Sequence, residues 1–199
     1  ALTTSGANVA IGYQALSTED TTGGVTAIGY QALKTQNTSS TSYNVAVGYQ
    51  AGLSVTTGIQ NTIIGGLAGD ALTIGKHNVA VGYQALTAAQ ESNRTVAVGS
   101  NALNAQNVAG TTYNVAVGYA AGVSITTGIE NTFIGGLSGD ATDDGAENTS
   151  VGYKSLSANC GDANTAVGKD AGEVITGANN TVVGKSAGKA ITSGGNNMA

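Results

Sequence analysis

The chain contains no proline and no tryptophan, and only one cysteine, one methionine and one phenylalanine in 199 residues. Without proline every residue can donate its backbone N–H, so hydrogen-bonded ladders can run uninterrupted. Aromatic residues make up 5% and charged residues 10%. Such a chain cannot build a broad aromatic core, but it can fill a thin, elongated one with small and β-branched side chains. The net charge is −5, and the sequence shows no basic run, which argues against nucleic acid as a partner. No apolar run is long enough for a membrane span, and no signal-peptide pattern is present. A single cysteine, Cys160, leaves no internal disulfide framework and leaves the redox compartment open. No window sustains a 3.6-residue apolar period, so almost no helix is expected.

What the chain does have is glycine, 31 of them, and a repeat. The stretch Asn44-Val45-Ala46-Val47-Gly48-Tyr49-Gln50-Ala51-Gly52 recurs, lightly edited, eleven times. The motif glycines are Gly12, Gly29, Gly48, Gly65, Gly82, Gly99, Gly118, Gly135, Gly152, Gly168 and Gly184, spaced by 16, 17 or 19 residues. A fixed period of this size is the signature of stacked coils. Each coil is read as two short strands and two turns, giving an all-β parallel β-solenoid (β-roll) of about 11 coils of 16–19 residues. At ~4.8 Å per coil the stack spans ~50 Å. The second strand is placed at Leu53–Thr56, Val123–Thr126 and Glu173–Thr176.

Columns of the repeat sharpen this. The residue before the glycine is always Val or Ile, and the third before it is always Val or Thr. Two residues apart, these columns share one strand face, and β-branched side chains suit a packed sheet. They are read as the inside of each coil. The column between them is small or apolar and includes Ala46, Ile63, Ala80, Ala116 and Phe133. It is assigned to the opposite face, as the surface covered by another copy of the chain. Four before the glycine stands asparagine in nine of eleven copies, broken only by Val25 and Thr95. Stacked asparagines can form amide ladders or serve simply as turn residues.

A longer period overlies the short one. Tyr43–Ala71 matches Tyr113–Ala141 at 23 of 29 positions, 70 residues apart, so a four-coil module is duplicated. The whole of 1–199 is read as one continuous repeat region, with modules 8–77 and 78–147 and shorter coils over 148–199. Both ends fall inside a repeat, so the chain reads as a segment of a longer array, or as a unit that stacks end to end. In each module one coil is long, and its loop, Asn37–Ser42 or Asn107–Thr112, is expected to project.

The pattern Asn-[Val/Thr]-Ala-Val-Gly-x-x-Ala, seen almost undisturbed at Asn8–Leu16, Thr26–Leu33 and Asn78–Leu86, resembles the left-handed parallel β-roll repeats in the heads of trimeric autotransporter adhesins. It is closer still to the repeats of phage tail fibres and bacterial tail-fibre-domain proteins. The resemblance covers the whole chain. It implies a left-handed roll and three chains side by side, in a rigid shaft or head that is extracellular or on a virion surface and supports attachment to a host. The partners it implies are the chain itself, as homotrimer, and a cell-surface glycan or receptor. A self-assembling extracellular filament is the alternative, and a carbohydrate- or ice-binding solenoid a minor one.

No catalytic, cofactor or metal constellation is visible, and the chain is read as non-enzymatic. His77 stands in a turn with no cysteine or carboxylate cluster beside it. Cys160 is read as an incidental small residue in a turn. Gly65–Asp70 and Gly135–Asp140 faintly resemble calcium-binding nonapeptides, one residue out of register. Asp143, Asp144 and Glu147 are read as a solvated turn. Tyr13, Tyr30, Tyr49, Tyr83, Tyr119 and Tyr153 follow the motif glycine, as a row that stacks along the solenoid or meets sugars. Asn-x-Ser/Thr sequons at Asn37, Asn93, Asn148 and Asn179 are expected by chance in so Asn- and Thr-rich a chain.

Overall fold

In the computed structural model, which describes residues 6–18 and 23–199, each copy of the motif forms a strand of three residues. These are β1 (Val9–Ile11), β2 (Thr26–Ile28), β3 (Val45–Val47), β4 (Thr62–Ile64), β5 (Val79–Val81), β7 (Val96–Val98), β9 (Val115–Val117), β10 (Thr132–Ile134), β11 (Thr149–Val151), β12 (Thr165–Val167) and β13 (Thr181–Val183). They build one eleven-stranded, wholly parallel sheet in chain order. The register is that of the repeat, so Ala46 opposes Ala27 and Ile63 in its two neighbours. A parallel β-solenoid is therefore the architecture, and no helix occurs among the described residues. Among the described residues the one further strand pair is β6 (Ser92–Asn93) with β8 (Gly110–Thr111), where the long coil of the second module runs past its neighbour.

The strand faces are the reverse of the sequence expectation. Ala27, Ala46, Ile63, Ala80, Ala97, Ala116, Phe133, Ala166 and Val182 are completely buried within the single chain. The β-branched columns flanking them are half-buried or exposed, with Ile64, Val117 and Ile134 about 40% accessible. Ala46, Ile63, Ala80, Ala116 and Phe133 thus line the core and cannot be an inter-chain face. The reason is the width of the coil. Strand and opposite wall lie so close that an alanine usually fills the gap, and a larger centre such as Ile63, Phe133 or Val182 fits only where the corner residue beside it is glycine. β-branching favours a strand on either face, so that preference alone does not tell inside from outside.

The second strand is also absent. Leu53–Thr56, Val123–Thr126 and Glu173–Thr176 hold turn, bend or irregular backbone. In each described coil the second and fourth residues after the glycine, and the residue before the asparagine column, hold a left-handed backbone, as at Gln50 (φ 52°), Gly52 (φ 61°) and Tyr43 (φ 53°). Corners so closely spaced leave no room for extended chain. Their amides still bond to the next coil, as Ser54 N–H does to Asp70 O at 3.0 Å and Thr56 N–H to Thr73 O at 2.9 Å. Stacking therefore persists where strand geometry does not. Left-handed backbone costs an L residue roughly 1–2 kcal/mol, and leucine at the fourth-residue corner of five coils is maintained by what its side chain fills.

That filling explains the four-coil module. The fourth residue after the motif glycine runs Leu16, Leu33, Gly52, Gly69, Leu86, Leu103, Gly122, Gly139, Leu156, Gly172, Gly188 along the stack. The leucines point inward and are buried opposite a small strand centre, alanine in four coils and Ser150 in the coil of Leu156. Where glycine stands instead, one of the two adjacent coils carries a large strand centre: Ile63, Phe133 or Val182. A Cβ on Gly122 would lie 2.8 Å from the Phe133 ring, and one on Gly139 2.6 Å from it. The remaining space is taken by Val55, Leu72, Ile125 and Ile175, all buried, each three residues after a corner glycine. Two leucine coils followed by two glycine coils around one large residue is the repeating packing unit. The final run holds one leucine coil and two glycine coils.

Two buried rows complete the interior. Asn44 Oδ1 accepts the N–H of Asn61 in the next coil at 2.8 Å, while Asn44 Nδ2 donates to Gly58 O at 2.8 Å. The pattern continues through Asn61, Asn78, Asn114 and Asn131. So the asparagines do form a ladder, chiefly from side chain to backbone. Direct amide-to-amide bonds enter only at the far end, where Asn164, Asn180 and Asn197 each donate to the asparagine before. In the long coils buried Gln36 and Gln106 accept a second bond from Asn44 and Asn114 at 2.8 and 2.7 Å. The apolar core falls into two clusters, one ending at Phe133 and the other beginning at Leu156. Between them Ser138, Ser150 and Ser155 bond to one another.

Candidate interaction surface

Three rows occupy the outer side of the sheet and its edge. The first is the Val/Thr column, in which the last four coils carry threonine without a break: Thr132, Thr149, Thr165 and Thr181. The second is the Ile/Val column beside it. The third is the residue after the motif glycine, where every tyrosine is exposed. The inward placement expected for the threonines from the repeat pattern does not hold; their column faces out, in register from coil to coil.

The tyrosines at the start of the row stack on one another. Tyr13 and Tyr30 lie 5.4 Å apart between ring centroids at 16°, and Tyr30 and Tyr49 5.2 Å apart at 7°. Alongside, Gln31 Nε2 donates to Gln14 Oε1 at 2.7 Å and Gln50 Nε2 to Gln31 Oε1 at 2.9 Å. Ring faces used on each other are not offered to sugars, so this segment stiffens the stack. Further along, glycine, serine or lysine interrupts the row, and Lys154 and Lys169 each place Nζ 5.9 Å from the Tyr153 centroid.

The motif glycines belong to the framework. Each holds φ between 127° and 142°. A Cβ on any from Gly12 to Gly168 would come within 2.2–2.6 Å of backbone atoms of the next motif glycine. They are backbone packed on backbone, with no ligand role.

The remaining candidates separate as follows. Among the described residues no three His, Cys, Asp or Glu side chains converge to hold a metal. Asp70 and Asp140, of the calcium-like stretches, each have a buried Oδ1 without a hydrogen-bond partner. Burial raises the Asp70 carboxyl above its usual value, against backbone hydrogen bonds that lower it. A carboxyl raised by folding destabilises the fold once ionised and ceases to do so as pH falls through its folded value toward the unfolded one, 3.8. Asp70→Asn should therefore raise the thermal midpoint at neutral pH, with the gain shrinking as pH falls through that interval. Melting curves from pH 3 to pH 8, a range of about five units around the ordinary carboxyl value, provide the check. An unchanged gain at the acid end would refute the assignment.

Cys160 is buried, with Sγ 3.3 Å from Thr142 Oγ1, and its burial raises the thiol pKa. It fills the second core cluster. The Asn148 sequon is buried, whereas Asn37 and Asn179 are exposed. The loop at Asn37–Ser42 is mostly exposed, as is Asn107, but Gly110–Thr111 of the second loop is tied to Ser92–Asn93.

One site escaped sequence reading. Lys76, His77 and Arg94, in two successive coils, line a groove of about 480 Å³ with Glu91, Asn93 and Ile74. In the sequence Arg94 lies 17 residues from His77, so no basic run is seen. One coil period was the signal that could have joined them. No family model matches the chain, nor does any curated protein or solved structure.

Proposed function

We propose that this chain is a segment of a structural fibre, a rigid shaft or head of a viral tail fibre or surface adhesin, in which copies lie side by side through the outer sheet face. The observation that carries this is the exposed pair of β-branched rows. A contiguous apolar surface of this length is a mark of association. Because its side chains repeat once per coil, a second copy in register meets it coil for coil along ~50 Å. Three copies is the number implied by the resemblance to tail-fibre and adhesin-head repeats. The axial hydrogen bonds and the alternating leucine and glycine corners supply stiffness, as a shaft requires. The segment would act outside the cell or on a virion, with a surface glycan or receptor as the ultimate target.

Sedimentation equilibrium on the chain tests this. A mass of three chains is expected, and Val81→Glu with Val98→Glu should reduce it to one while the β circular-dichroism signal remains. Open-ended polymers that survive both substitutions would favour the filament instead. A stable wild-type monomer would sink both and leave the threonine and valine rows facing solvent, as an ice-binding surface would.

A further inference from the structure

We propose that the groove over Lys76, His77 and Arg94 binds an acidic saccharide through its carboxylate. The site lies within a single chain and does not depend on the fibre reading. It gathers two of the chain's seven Lys and Arg residues and its one histidine into two adjacent coils of a protein with net charge −5. Its volume, about 480 Å³, suits one or two sugar rings.

The framework explains how the groups converge. His77 and Arg94 occupy the same left-handed corner in successive coils, at φ 60° and 56°. Arg94 N–H bonds to Lys76 O at 3.0 Å, and Lys76 N–H to Asn93 Oδ1 at 2.7 Å, fixing one coil on the other. The β6–β8 pair brings Gly110 and Thr111 alongside, and Arg94 Nη1 donates to Thr111 Oγ1 at 2.8 Å. That bond leaves the far edge of the guanidinium to take a carboxylate in two parallel hydrogen bonds.

Two features set the ligand class. Glu91 lines the same groove. A carboxylate accepts hydrogen bonds from sugar hydroxyls, and it penalises a doubly charged phosphate more than a singly charged carboxylate. Ile74, 44% exposed, gives the ring an apolar floor.

The chain also contains its own comparison. One module earlier the positions of Lys76, His77 and Arg94 hold Gly6, Ala7 and Gly24. One module later the first two hold Ala146 and Glu147, and Ala163 takes the corner of Arg94. The fold needs no cation at any of these places, so the set is an addition to the framework.

His77 is the sole histidine, so a chain labelled with ¹³C-histidine gives one imidazole signal from inside the groove. Titration with glucuronate is expected to move it saturably, with a midpoint on the order of 1–10 mM, while glucose does not. Arg94→Asn, the residue found at the same corner in Asn179, should raise the midpoint at least about tenfold. Lys76→Ala, matching Ala146, should raise it less. Both replacements are already carried by equivalent positions of the native stack, so folding is retained. Three results would overturn the proposal. They are no saturation, an equal response to glucose or to inorganic phosphate, and a signal that follows protein dilution instead of glucuronate. The last would assign the groove to the acidic corner of a neighbouring copy.

Discussion

Gly99→Ala is expected to be among the most damaging single substitutions in the chain, costing at least about 3 kcal/mol from backbone strain and overpacking together. The added methyl would stand 2.3 Å from the carbonyl oxygen of Gly118. That atom is backbone, held in turn against Gly135. It cannot swing aside as a side chain would, so the clash opens the coil-to-coil spacing. The φ of 136° adds a conformational penalty of its own. Gly184→Ala separates the two terms. It carries the same strain, at φ 129°, but its Cβ would meet nothing closer than 3.9 Å. Urea unfolding of the two variants should therefore show Gly99→Ala clearly the worse. Equal losses would mean that the backbone angle accounts for the whole effect and that the glycine stack is incidental.

The second large effect belongs to Phe133. It is the largest fully buried side chain, and it lies in a core only one side chain thick. Phe133→Ala should cost about 3–5 kcal/mol, because neighbouring coils hydrogen-bonded into a ladder cannot collapse into the space. The stack also supplies the repair. Elsewhere leucine stands at the corner where its own strand centre and the next one are both small, as Ala97 and Ala116 are for Leu103, and leucine holds that corner at φ 46–56°. Gly122→Leu alone should overpack against the ring, 2.8 Å from its Cβ position, and destabilise by about 1–3 kcal/mol. Combined with Phe133→Ala it recreates a leucine coil, and the double variant should be more stable than Phe133→Ala. A double-mutant cycle reads this directly. Strict additivity of the two losses would show that corner and strand centre do not share one space.

How far the sequence discloses all this can be judged residue by residue. The period of the motif glycines is enough to predict stacked parallel coils, because one dominant spacing admits few folds. The faces were not legible. Val45 and Val47 look like core and Ala46 like a contact surface if hydrophobicity alone is weighed. What decides is the width of the coil, which leaves room for a methyl group, or for a larger side chain where the corner residue is glycine. The second strand failed for a related reason. Leu53–Thr56 alternates as a strand does, but Gln50 and Gly52 just before it are left-handed, and leucine, glutamine and tyrosine give no warning of such corners. The cationic groove was hidden because its members are neighbours in the stack and strangers along the chain. The leucine-to-glycine alternation was in plain sight, yet it acquires meaning only once corner and strand centre are known to compete for one volume.

The three serines between the core clusters bear on how the rod responds to force. Their counterparts one module earlier are Ala68, Ala80 and Ala85, part of a continuous apolar interior. Tension along the axis loads the coil-to-coil junctions in series, so every junction carries the full load and the weakest yields first. At most junctions separation exposes apolar side chains to water; at Ser138, Ser150 and Ser155 it exposes hydroxyls that water rebonds at little cost. The serine junction is therefore the built-in fracture plane of the rod. Pulled, the stack parts there into two blocks that each keep an intact core, and a solenoid that fails at a fixed place can absorb a load without unravelling coil by coil.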